Sequence, residues 1–201
     1  MRRISAALLV LLLSGPAAGL PLSGDETIVD VTSSPTLTAR GLALDVFGTA
    51  SLNALGEVVL PITGGDVAIP LLTGNILHVG TGISFGDGTA TVELRDLEID
   101  LTLALVRGDL TWDGGGVDLD DLILFEAREC GGATATDPCL DDDGSLLLNG
   151  YGLDFSGSIV SVLNDAFFDG SAVFGAGEAF AHMRQERASP TVDPRHFEED
   201  T

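Results

Sequence analysis

Groups able to coordinate a metal, attack a bond or move a proton are few in this sequence apart from its carboxylates: three histidines, two cysteines and 21 aspartates. His196 lies in a polar, acidic end, so a site with several imidazole ligands has only His78 and His182 to draw on. Both sit in segments with the period of a strand, and could share a metal with Asp ligands only if the sheet closed and brought them together. An isolated strand histidine is more plainly a rim residue. Asp137, Asp141, Asp142, Asp143 and Gly144 contain a D-x-D-G fragment, whose hard oxygens suit Ca²⁺. The full loop signature would want an Asp where Cys139 stands and a Glu where the chain runs Leu146 to Asn149. Ca²⁺ at Asp137, Asp141 and Asp143 is therefore the one cofactor expectation, set against a solvated acidic loop.

Two catalytic patterns match by letter and fail by context. Gly82-Ile-Ser-Phe-Gly86 spells G-x-S-x-G, but a nucleophile elbow needs a helix after Ser84, and here Gly86, Asp87 and Gly88 lead into another strand. Asp113, Asp118, Asp120 and Asp121 could be paired as glycosidase carboxylates. In a chain with so many aspartates close pairs arise by chance, and one Trp and one Tyr offer little platform for a sugar. No enzyme activity is expected.

The cysteines take their meaning from the compartment. Arg2 and Arg3 precede an apolar run from Ala6 to Leu13, broken by Ser14, Gly15 and Pro16 before Ala17, Ala18 and Gly19. This has the form of a secretory signal peptide over residues 1–19, and the run is too short to span about 30 Å of hydrocarbon. Cleavage after Gly19 would leave 182 of the 201 residues and, without the two arginines, take the formal charge from −22 to −24. The expected location is outside the cytoplasm, in the medium or periplasm, with no membrane insertion after cleavage. In that oxidising setting Cys130 and Cys139, with eight residues of a Gly-rich segment between them, are expected to form a disulfide.

Charge also narrows the partners. With 31 acidic residues against nine arginines and no lysine, the surface would repel nucleic acid. A 45% hydrophobic composition argues against disorder, so the charge reads as a solubility device on a folded body.

Positioning these residues falls to many short strands. Thr27–Val31, Leu42–Phe47, Val58–Ile62 and Val67–Leu71 read as strands, with turn chemistry at Thr63, Gly64, Gly65 and Asp66. Asn75–Val79 and Ile83–Phe85 read as two strands joined by Gly80, Thr81 and Gly82. Val92 and Leu94 lie on even positions, whereas Leu97, Ile99, Leu101, Leu103 and Leu105 lie on odd ones, all five expected to face the core. The change of parity at Arg95 and Asp96 predicts a bulge there, and Gly108 marks another. Val117, Leu119 and Leu122–Phe125 return, followed by Leu146–Leu148 and Leu153–Phe155. Ile159, Val162, Leu163 and Ala166 have helical spacing, which predicts one helix near 158–167 capped by Ser156 or Ser158. Ala179 to Arg184 alternates as a last strand. The expected fold is all-β and mainly antiparallel, a sandwich or partly closed barrel with one short helix near the C-terminus, spanning 20–187 as a single domain, with a disordered tail over 188–201.

The segments Leu60-Pro-Ile-Thr-Gly-Gly, Gly74-Asn-Ile-Leu-His-Val-Gly-Thr-Gly-Ile-Ser-Phe, Thr91-Val-Glu-Leu-Arg-Asp-Leu-Glu-Ile-Asp and Val106-Arg-Gly-Asp-Leu resemble the body of small exported bacterial β-rich proteins of the PEP-CTERM-associated type. Leu163-Asn-Asp-Ala-Phe, Val173-Phe-Gly-Ala-Gly and Phe180-Ala continue the resemblance, over about 42–185, although no sorting tail follows. The H-x-G segment at His78 and Gly80, with the acidic hairpin after it, is also similar to the HtaA-type haem-uptake domain. That similarity implies a ligand contact at His78. It departs from the family where a haem-ligating Tyr would stand, because the sole Tyr is Tyr151, far downstream. The expected function is a secreted, non-catalytic binding or structural module whose partner is an extracellular protein or polysaccharide, the alternative being a carrier of haem or another apolar ligand.

Overall fold

The alternation along the chain becomes one continuous sheet in which every pairing is antiparallel. The structure, a computed structural model, describes residues 20–21, 26–31, 35–68, 73–129 and 149–186. Among them lie strands β1 (Leu20–Pro21), β2 (Glu26–Asp30), β3 (Ala43–Gly48), β4 (Ser51–Leu52), β5 (Val58–Pro61), β6 (Gly64–Ala68), β7 (Thr73–Gly86), β8 (Thr91–Asp100), β9 (Leu105–Trp112), β10 (Val117–Glu129), β11 (Asn149–Phe155) and β12 (Ala179–Glu186). Two helices accompany them, α1 (Pro35–Ala39) and α2 (Gly157–Phe168).

In space the strands run β1-β6-β7-β8-β9-β10-β11-β12-β2-β5-β4, and β3 pairs with the second half of β7. The sheet curls until β5 lies beside β7, giving a nearly closed barrel with one unsealed seam. Among the described residues no strand ladder crosses that seam, but hydrogen bonds stitch it. Thr63 N donates to Leu77 O at 2.8 Å, Val79 N to Thr63 Oγ1 at 2.8 Å, and His78 Nδ1 to Pro61 O at 2.9 Å.

A diagonal line of bulges produces the curl. The register between β7 and β8 skips between His78 and Gly82, that between β8 and β9 between Arg95 and Glu98, and that between β9 and β10 between Leu119 and Leu122. Asp96 takes the left-handed conformation, φ 48°, and its Oδ1 accepts from Gly80 N at 2.6 Å, so one carboxylate holds two neighbouring bulges together. The parity change expected at Arg95 and Asp96 is met: Val92 and Leu94 are buried before the bulge, and Leu97 and Ile99 after it. Gly108 lies in mid-strand beside these bulges, where a Cβ would stand 2.7 Å from Arg95 O and 3.0 Å from the Leu97 and Leu124 side chains. Only a residue without a side chain lets β8 and β10 approach so closely there.

Three readings of the sequence need correction. Gly80, Thr81 and Gly82 do not join two strands, because β7 runs unbroken through them and absorbs the extra residues as a bulge. Gly64, Gly65 and Asp66 belong to β6 and pair with Leu77, Ile76 and Asn75. The run Leu97–Leu105 is not one strand. Asp100 ends β8 by accepting from Thr102 N and Leu103 N, each at 2.9 Å, and Ala104 turns at φ 54°. Leu103 is consequently 57% exposed at the tip of a hairpin and Leu105 is half-buried, whereas Leu101, also half-buried, still packs against the core as expected.

Inside the barrel an aromatic cluster meets α2. Phe125 and Phe180 stack at 4.7 Å between ring centroids, with Phe85 and Phe155 against Phe180 at 5.7 and 5.0 Å. The expected helix is present, with Ser156 as its N-cap accepting from Ile159 N, and it buries Ile159 and Leu163. Buried Asn164 fastens it to the following loop by accepting from Val173 N and Phe174 N and donating to Phe174 O. The short α1, which the sequence does not suggest, buries Leu37 and is followed by Arg40, whose guanidinium lies 4.1 Å from the centroid of the Phe174 ring and pairs with Glu178. On the outside, Glu93, Arg95, Glu98, Arg107, Asp109, Asp118 and Asp120 occupy half-buried to exposed positions. Charged outward faces and an apolar interior are the reverse of a lipid-facing barrel. No described helix is long and apolar enough to cross a membrane.

Candidate functional site

His78 is the residue the sequence singles out for ligand contact, and the fold sets it inside the barrel. It alternates with Ile76 on the inward face of β7 and is fully buried. The bulge after it turns its own carbonyl toward Thr81 Oγ1, which donates at 2.8 Å. A carbonyl oxygen can only accept, so the bond to Pro61 O puts the proton on Nδ1 and leaves Nε2 as a bare acceptor within the barrel. Burial disfavours the imidazolium and lowers the pKa below the ordinary 6.5, while the bond to Pro61 opposes that shift.

The space in front of the ring is a cavity of about 20 Å³. Thr27, Val29, Leu60, Leu97, Phe125 and Met183 are among the residues around it, and among the described residues that line it only Thr27 and His78 are polar. A buried water needs roughly 10–15 Å³, so the cavity has room for little more than one small molecule.

The remaining candidates do not converge on His78. His182 is exposed on β12, opposite Asp30 of β2 and Gly152 of β11, with its strand neighbours Ala181 and Met183 buried. Alternation along β12 therefore directs it away from the interior that holds His78, and the two imidazoles cannot share a metal. Ser84 sits within β7 between Asp45 and Glu93, in a ladder that has none of the sharp turn an elbow requires. The acidic hairpin residues have structural work. Asp113 Oδ1 accepts from Thr91 N at 3.0 Å, and Asp121, in the left-handed conformation at a bulge, takes Arg107 at 3.4 Å. Asp118 and Asp120 are exposed on the outer face. Among the described residues no group of three His, Cys, Asp or Glu side chains is arranged to hold a metal ion. Cys130 and Cys139, the Asp137, Asp141 and Asp143 loop, Leu146–Leu148, the signal segment 1–19 and the tail 188–201 lie outside the described residues.

Two features escape the sequence reading. Thr27 faces the same cavity as His78 from a strand 51 positions away in the chain. Glu57, buried just before β5, is bound by Arg184 through two bonds of 2.6 and 2.8 Å and by Asn53 Nδ2 at 2.6 Å. These hydrogen bonds, from Arg184 first and Asn53 second, bring its pKa down from 4.5 to about 2. No local motif announces a pair separated by 127 residues.

With this geometry in hand the architecture can be placed among solved structures. The fold is shared with HtaA. The N-terminal domain of HtaA from Corynebacterium glutamicum aligns with a TM-score of 0.53 at 13% identity, covering 84% of this chain and 99% of that one. Its C-terminal domain aligns at 0.51 and 13%, covering 82% and 96%. The heme binding protein HtaB from the same organism aligns at 0.50 and 10%, covering 82% and 92%. At such identities the likeness is one of architecture. No family model and no curated protein sequence matches the chain.

Proposed function

We propose that this chain is an exported, non-catalytic binding module that takes its ligand on the outer surface of a filled barrel. The observation that carries this reading is the interior: a cavity of about 20 Å³ admits a water-sized group, whereas pockets for small-molecule ligands run to roughly 300 Å³ or more. The candidate catalytic letters support the non-catalytic part, since Ser84 lies in an unbroken strand and the hairpin aspartates serve turns and bulges. Export rests on the pattern of residues 1–19, and the Cys130–Cys139 staple and the PEP-CTERM-type body belong to the same reading. A macromolecular partner, protein or polysaccharide, suits a barrel whose interior leaves so little room.

The second reading is a haem carrier, favoured by the fold shared with HtaB, a heme binding protein. In this chain haem would then lie outside the barrel, where His182 is the exposed imidazole among the described residues. Haemin titration of wild type, His78→Ala and His182→Ala, each verified as folded by circular dichroism, separates the cases. A saturable Soret change that persists in His78→Ala supports an outer-surface haem site. Its loss in a folded His78→Ala protein would overturn the outer-surface reading. If wild type gives no saturable change, haem is excluded and pull-down from native culture medium becomes the assay for a macromolecular ligand.

A further inference from the structure

The cavity in front of His78 has an apolar wall throughout. Thr27 and His78 belong to that wall, but they contribute carbon, and neither oxygen nor nitrogen, to its surface. A water placed there would give up its hydrogen bonds and find none in return, so a volume large enough to hold one stays dry. Such a void costs stability, because the atoms around it lack contacts on one side. The wall is nevertheless unable to relax into it. Val29, Val58, Ile83, Ile99 and Val106, on five different strands, are β-branched and stiff about χ1. Phe125 and Phe180 are fixed by stacking on each other at 4.7 Å, and Phe85 meets Phe180 edge-on at 5.7 Å.

We infer that the cavity is a preformed site for one small apolar molecule, of the size of dioxygen or a xenon atom. The wall selects the chemical class: an apolar guest surrenders no hydrogen bond on leaving water and gains the dispersion contacts that the void lacks. An ion or a polar molecule would enter without compensation. The volume of about 20 Å³ limits the guest to one molecule of few atoms. Its place in the fold supplies a route. Beside the cavity β5 and β7 meet without a ladder among the described residues, held by hydrogen bonds that include those of Thr63 N, Val79 N and His78 Nδ1. His78 is both a bond across that seam and a part of the cavity wall, so transient loss of its bond to Pro61 opens a way in at the cavity itself. This internal site is independent of any ligand on the outer surface.

Xenon is the probe, applied to the methyl-labelled full chain and followed by nuclear magnetic resonance. The methyl signals of Val29, Leu60, Ile99 and Met183, around the cavity, should shift as xenon pressure rises and then level off, while those of exposed Leu55 and Leu103 drift without saturating. Val29→Ile sets one more methyl group into the void. It should abolish the saturating component and, because it fills empty space, leave the melting midpoint unchanged or raise it. If that variant fails to fold, Val106→Ile makes the same test from another strand, and if neither folds the wild-type titration decides alone. Cavity methyls that only drift in the wild type, or that saturate undiminished in a folded variant, overturn the site.

Discussion

Glu57 and Arg184 form the charge pair whose removal should be felt most strongly, and its consequences can be worked out in advance. Arg184 approaches Glu57 with two nitrogens at 2.6 and 2.8 Å, and the Asn53 amide adds a third bond at 2.6 Å. The Glu57 side chain is 8% exposed and that of Arg184 33%. Asn53 Oδ1 in turn accepts from Leu55 N and Glu57 N, so the carboxylate organises the turn that presents β4 to β5. A carboxyl brought from 4.5 down to about 2 gains, at about 1.4 kcal/mol per pH unit, about 3 kcal/mol from its folded surroundings. Water reaching the Arg184 end screens part of this, so Glu57→Gln should cost about 2–3 kcal/mol at pH 7. Because the folded pKa is depressed, the contribution is whole above the unfolded value of 4.5 and disappears as pH falls toward about 2. Urea melts of wild type and Glu57→Gln at intervals from pH 7 to pH 2 should therefore show two stabilities that differ at neutrality and converge in acid. Taking the difference between the two proteins removes the relief of general repulsion that a chain of formal charge −22 undergoes in acid. A constant difference across that range, or one below about 0.5 kcal/mol at pH 7, would refute the clamp.

His78 should give a second, separate pH window. Its folded pKa lies below 6.5, so as pH drops beneath 6.5 the unfolded chain binds a proton that the folded chain refuses. Stability then declines by up to about 1.4 kcal/mol per pH unit until the folded ring also protonates. His78→Leu should abolish that slope between pH 6.5 and 5, and urea melts showing the same slope in both proteins would count against a sealed neutral imidazole. Within the β8–β9 hairpin, Ile99→Ala should cost about 2–4 kcal/mol, whereas Leu103→Ala at the exposed tip should stay within about 0.5 kcal/mol. Denaturant melts giving the reverse order would place the turn elsewhere.

The sequence by itself determined the fold class, the bulge at Asp96, the α2 helix and its Ser156 cap, because each is written in residues close together in the chain. Period two, a change of parity and a serine before a helical repeat depend on neighbours within a few positions. It misplaced the β8–β9 turn, since Leu97 to Leu105 keeps the strand period through a turn made by one aspartate without glycine, and Asp100 is one acidic residue among 31. It also divided β7, because Gly80 and Gly82 carry the letters of a hairpin whether they form one or a bulge; what decides is the Asp96 carboxylate waiting on the next strand. For the candidate site, the chain singled out His78 but could not tell a rim imidazole from a sealed one. That difference arises only when β5 closes against β7 and Pro61 accepts the Nδ1 proton. Thr27 joining His78 at one cavity, and Arg184 finding Glu57, follow from strand order, which brings distant segments side by side and leaves no periodic trace along the chain.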